Sequence, residues 1–203
     1  MSKKYFYLYY IFYLFIAWSI IVYFIHSSET IISLAKFIIW GIPLIFIYHG
    51  KKIQIFNEKN NALDFKIITV YIFATLILLL LYAMVINQAL GYSVSTSVSI
   101  WFVLNGVIFA PIIEEFIFRG YLLQTFQNNF TFGKANTIQS LLFVFIHFPQ
   151  WLARGTEITI FSCSWIFVFG IILGFLKKKT NWLYACMIVH SVGNVLLKIF
   201  LDS

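Results

Sequence analysis

The side chains able to move protons or hold charge are concentrated in the second half of the chain, at Glu114, Glu115, Arg119, His147, His190 and Asn194. Each lies within an apolar run, where a strong polar group is costly in hydrocarbon and needs a partner. In the stretch Pro111 to Arg119, Glu115 and Arg119 stand four residues apart and share a helical face, while Glu114 is rotated by about 100°. Glu115 and Arg119 can therefore pair, leaving Glu114 free. His190 and Asn194 repeat the four-residue spacing, as do Phe143 and His147, so an imidazole and an amide project from one face of the last apolar run. Carboxylate, imidazole and amide together have the components of acid–base chemistry, a base for water and donors for a developing negative charge. The plain alternative is a structural polar network that locks helices together. Polar groups on three separate helices, all at a depth where lipid penalises them, favour a site over a lock.

The elements that must position these groups follow from composition. Of 203 residues, 62% are hydrophobic, 21% aromatic and only 10% charged, where a soluble domain carries about a quarter charged residues. The chain is therefore read as all-α, a multi-pass transmembrane helical bundle. Its candidate spans run approximately Tyr5 to Ile25, Ile31 to Tyr48, Ile67 to Ile86, Val98 to Phe118, Ala135 to Phe148, Ile160 to Leu176 and Trp182 to Leu201. That is about seven, with the intramembrane polar site formed by the last four. Residues 1–97 hold spans without a motif and residues 98–203 the site-bearing bundle. The first span follows Lys3 and Lys4 like a secretory signal, but its length and the poor cleavage site at Ser27 to Glu29 read as a retained anchor.

The net charge of +7 resolves into alternate loops. Lys3 and Lys4, then Lys51, Lys52, Lys59 and Lys66, then Lys134, then Lys177 to Lys179 all fall on one side. The positive-inside rule makes that side cytoplasmic, with the N-terminus inside. The basic excess is an orientation signal and no nucleic-acid partner is expected. Richness in Phe, Ile, Lys, Tyr and Asn suggests an AT-rich coding sequence, hence a bacterial plasma membrane. The remaining polar residues read as structural. Lys36 can snorkel along its stem, and His26 and His49 lie at span ends among interfacial aromatics. Cys163 and Cys186 sit in apolar runs as small buried hydrophobes. Gly170 and Gly174 read as a helix-packing face, and the Phe and Tyr stripes as packing or interfacial anchors.

Glu-Glu-x-x-x-Arg at Glu114 to Arg119, Phe-x-x-x-His at Phe143 to His147 and His-x-x-x-Asn at His190 to Asn194 resemble, in order and separation, the CAAX protease and bacteriocin-processing family (CPBP, or Abi). The resemblance covers roughly Phe109 to Leu197. Each motif alone is weak, and three in order on separate spans are strong. The resemblance implies an intramembrane, glutamate-type endopeptidase. On it, Glu114 is the general base, His147 holds the same water, and His190 with Asn194 receive the oxyanion. Glu115 and Arg119 support the site and Phe143 shapes the wall beside His147. It implies no cofactor and no metal, and as partners a peptide or membrane-protein substrate and membrane lipids. Nothing in the sequence selects that substrate or the oligomeric state. Zinc hydrolysis by two His and a Glu is the runner-up mechanism, although Asn194 is a poor zinc ligand. A non-enzymatic bacteriocin-immunity or membrane scaffold protein and a proton-coupled carrier are the other classes.

The same reading carries a geometric expectation. With the fourth span ending at Phe118 on the lysine-rich side, Glu114 lies shallow there and the site opens toward the cytoplasm.

Overall fold

The computed structural model describes residues 6–24, 29–45, 65–90, 99–156 and 158–201, all organised around helices. His26, His49, Lys51, Lys52, Lys59 and Glu157 lie outside the described residues. In chain order the helices are α1 (Phe6–Phe24), α2 (residues 29–45), α3 (Phe65–Leu90), α4 (Ile100–Gln127), α5 (Phe132–Phe145), α6 (Phe148–Arg154), α7 (Ile160–Thr180) and α8 (Leu183–Leu201). Within the described residues, each apolar segment expected to span is helical, the fifth being divided between α5 and α6. Phe65–Met84, Ile100–Gln127 and Ile160–Thr180 are long and apolar enough to cross a membrane. Leu8–Phe24, Leu34–Ile45 and Leu183–Ile199 are shorter apolar helices. The chain is a helical membrane bundle.

Two boundaries differ from expectation, and both move the site. The fourth span does not stop at Phe118: α4 continues to Gln127, with Ile117, Phe118, Tyr121, Leu122, Leu123 and Phe126 all buried. Glu114 is thereby about 20 Å from either end of α4. The fifth span is not continuous from Ala135 to Phe148. α5 is a 14-residue helix ending at Phe145, about 21 Å long and short of the roughly 30 Å hydrocarbon thickness. The break has a local cause. A continuing helix would need the N–H of Pro149 to bond the Phe145 carbonyl, and proline has none. Pro149 instead sits in the first turn of α6, and His147 becomes the N-cap residue at the corner. α6 closes at Gly155, whose φ of +65° is left-handed.

α5 is held against α7 by polar groups that meet a small-residue face. Asn136 Nδ2 donates to the Ile171 carbonyl at 3.1 Å, and Gln139 Nε2 donates to the Gly170 carbonyl at 3.3 Å and to Ser140 Oγ at 2.7 Å. A Cβ at Gly174 would overlap the Asn136 amide, and one at Gly170 would come within 3.0 Å of the Ser140 side chain. The packing role read for both glycines is the one they have. α7 begins with a capping box between Thr159 and Ser162 and ends at Asn181, left-handed at φ +51°. On the other flank, α1 and α2 join through Trp18 and Trp40, whose ring centroids lie 5.1 Å apart. Tyr10 of α1 packs edge-on against Tyr121 of α4 at 5.4 Å.

Candidate active site

α4 carries both carboxylates side by side in the bundle interior, Glu114 at 4% and Glu115 at 0% exposure. Their different directions around the helix give them different partners. Glu115 Oε1 accepts from Arg119 NH1 at 2.8 Å, the pairing expected from the four-residue spacing, and lies 2.7 Å from His190 Nδ1. Arg119 is completely buried, donates through NH2 to the Gly170 carbonyl at 3.1 Å, and stacks its guanidinium 4.6 Å over the Phe143 ring. Facing a carboxylate, His190 Nδ1 carries a proton, and Nε2 is turned toward Glu114 Oε2, 3.7 Å away.

Glu114 is not free. Its Oε1 is ion-paired with Nζ of Lys36 on α2. Lys36, read from the sequence as a snorkelling structural residue, is therefore part of the site. Its ammonium lies 4.5 Å from the Trp40 ring centroid and 5.4 Å from that of Trp18. The signal that could have found it is charge arithmetic. Arg119 satisfies one of two adjacent buried carboxylates, and Lys36 is the cation inside the first three apolar spans.

His147 stands at the α5–α6 corner. Its Nδ1 lies 2.6 Å from the Phe143 carbonyl, which can only accept, so Nδ1 carries the proton and Nε2 is the lone-pair nitrogen in the neutral ring. Phe143 meets His147 edge-on at 5.1 Å, His190 at 5.8 Å and Phe118 at 4.9 Å. It is a wall shared by both histidines.

Asn194 is placed by a defect in α4. Pro111 has no N–H, so the carbonyls four and five residues earlier, Val107 and Gly106, lose that partner. The helix widens to π-type turns over Val103–Phe109, and α8 fills the gap. Ser191 Oγ donates to the Val107 carbonyl at 2.6 Å and Asn194 Nδ2 to the Gly106 carbonyl at 2.7 Å. An amide nitrogen has two protons, so one orients Asn194 on α4 and the other is available. Ser191 was not singled out from sequence. Its signal is the proline inside an apolar helix.

A cavity of about 250 Å³ is lined by Lys36, Glu114 and His147 together with Asn105, Gly106, Gln150 and Arg154; of the expected site residues, His190 and Asn194 are not on its lining. Buried Asn105 Nδ2 makes no hydrogen bond among the described residues. Trp18, Ile32, Trp101 and Phe102 also line it, which fixes the end of the bundle where it lies: α1 finishes there, α2 and α4 begin there. Lys134, Lys177, Lys178 and Lys179 mark the opposite end, at the start of α5 and the end of α7. The cavity thus lies toward the end of the bundle away from these lysines, whereas the expectation placed it on the lysine-rich side. The expectation followed from ending the fourth span at Phe118, which placed Glu114 too close to the lysines.

The fold and site define a membrane-embedded helical protein with a cavity lined by charged groups inside the bundle. Residues 95–196 match the family model of the type II CAAX prenyl endopeptidase, Rce1-like, and the chain belongs to this protease family. The match covers α4 to α7 and α8 as far as residue 196, and leaves α1 to α3 outside it. No curated protein and no solved structure matches the chain.

Proposed function

We propose that the chain is a glutamate-type intramembrane endopeptidase that cleaves a membrane-associated peptide or protein without a metal. The observation that carries this reading is that Glu114 and His147 line one cavity while His190 Nε2 faces the second oxygen of Glu114. A water between Glu114 Oε2 and His147 Nε2 gives a proton to the carboxylate as its oxygen bonds to the scissile carbonyl carbon. The carbonyl electrons move onto oxygen, where the second N–H of Asn194 and, in the imidazolium form, His190 Nε2–H receive them. Collapse restores the carbonyl and breaks the C–N bond, and Glu114 passes its proton to the departing amine. Glu115 and Arg119 hold His190, and Phe143 fixes the direction of both rings.

Cleavage of a lipid-embedded peptide by purified protein in liposomes tests the reading. Asn194→Ala is expected to lower turnover by about 100 to 1,000-fold with little change in substrate affinity, because the donor acts on charge that exists only in the transition state. Chelators should leave the rate unchanged. A stoichiometric transition metal whose removal abolishes activity and whose return restores it would replace this mechanism with a metal-dependent one.

We also infer that substrate enters from the side opposite the lysine-bearing ends, which the positive-inside rule makes extracytoplasmic in a plasma membrane with the N-terminus inside. That side favours secreted or surface-emerging peptides over cytosolic proteins. In a background lacking Cys163 and Cys186, a cysteine at Trp101, half-exposed on the cavity rim, should react with an impermeant thiol reagent in right-side-out vesicles. A cysteine at Lys178 should react in inside-out vesicles. The reverse pattern would turn the substrate source around.

A further inference from the structure

The family match begins at residue 95, so nothing in it assigns a role to the first two helices. Yet Glu114 takes its permanent cation from there. The Lys36 side chain is 15% exposed and its partner 5%. Trp18 and Trp40, each 1% exposed, lie side by side on one flank of the ammonium, and Lys36 itself lines the cavity. The charged and titratable groups around Glu114 come from three other elements: Lys36 on α2, His147 at the α5–α6 corner and His190 on α8. Arg119 is committed to Glu115. Glu114 is thus ion-paired with Lys36 and Glu115 with Arg119, while Arg154 lines the same cavity as Glu114.

The division of labour between the two oxygens of Glu114 follows. Lys36 holds Oε1, and Oε2 is the oxygen on the side of His190. A base whose two oxygens were equivalent could rotate about its last torsion and present either to water. An ammonium ion-paired to Oε1 and backed on one flank by two neighbouring indoles restricts that rotation. We infer that Lys36 is a positioning residue for peptide hydrolysis, fixing Glu114 through Oε1 so that Oε2 meets the attacking water. This rests on Glu114 being the base. It makes the motif-free half of the chain a contributor to the reaction and not only a membrane anchor.

Three variants test it in liposomes with the lipid-embedded peptide. Lys36→Met, neutral and of similar length, should lower kcat by about 100-fold with KM nearly unchanged, the loss expected when a reacting group is misplaced by an ångström. Lys36→Arg should retain more activity than Lys36→Met. Lys36→Ala should regain turnover on addition of butylammonium but not of butanol, which fills the same space without charge. If Lys36→Ala does not fold, the Met and Arg pair carries the test alone. Wild-type kcat in Lys36→Met, or rescue of Lys36→Ala by butanol as good as by the amine, would reduce Lys36 to a packing residue. The underlying reading is checked separately in the Lys36 wild-type background. A fully active Glu114→Gln enzyme removes the base assignment, whereas an inactive one beside a fully active Lys36→Met enzyme removes only the inference about Lys36.

Discussion

Glu114→Gln is expected to lower turnover by roughly 100 to 10,000-fold while the protein still inserts and binds substrate, the range over which a positioned general base contributes. The amide keeps the volume and can still accept from Lys36 Nζ at its oxygen, so the cavity wall is preserved. It cannot take a proton from water. One complication is built into the geometry. The substitution leaves the Lys36 ammonium facing a neutral group, and that lost ion pair lowers stability for reasons unrelated to catalysis. The double variant Glu114→Gln with Lys36→Met removes both charges and should recover thermal stability in detergent while remaining inactive. Single-turnover cleavage alongside a melting curve separates the two effects. Wild-type turnover in the folded Glu114→Gln protein would end the proposed mechanism.

The second large effect belongs to the neighbouring pair. Arg119 and Glu115 are both fully buried, joined at 2.8 Å, and tied further to His190 and to the Gly170 carbonyl. Removing one partner strands a charge in the bundle and is expected to cost about 3–5 kcal/mol. Arg119→Met should therefore fail to accumulate or should melt far below wild type. Combining it with Glu115→Gln removes both charges and should restore much of the stability. Activity should stay low in the double variant, since His190 Nδ1 then faces an amide in place of a carboxylate and the ring loses its charged anchor. Restored stability with wild-type turnover would make the pair structural glue and nothing more.

The contrast between these two carboxylates shows what a sequence can disclose. Glu115 with Arg119, Phe143 with His147 and His190 with Asn194 are legible because one helical turn separates each pair, and spacing translates directly into a shared face. Lys36 was opaque for the opposite reason. A single lysine in an apolar span has an adequate local explanation in snorkelling, and its partner lies 78 residues away on a helix whose rotation no local pattern sets. The number of apolar segments and their helical nature followed from composition. Their ends did not. The fourth span was ended at Phe118, just before Arg119, whereas the counter-ion on the preceding turn and the Gly170 carbonyl let the arginine lie within the bundle. The fifth span was carried to Phe148, up to the proline at 149, where the helix in fact ends at Phe145 and turns a corner at His147.

The ion pair between Lys36 and Glu114 also imposes an order on biosynthesis. The ribosome delivers the cation 78 residues before the anion, a delay of roughly 4 to 16 s at ordinary elongation rates. During that interval α2 presents a lysine to the membrane with no carboxylate to meet it, at an insertion cost of about 3 kcal/mol near a helix centre. The ammonium is then best placed at the headgroups, with α2 sitting off its final depth. The arrival of α4 supplies the counter-ion that lets the lysine lie inward, against Trp18 and Trp40. The charged pair thus forms when α4 joins α2, ahead of the later helices that bring His147, His190 and Asn194.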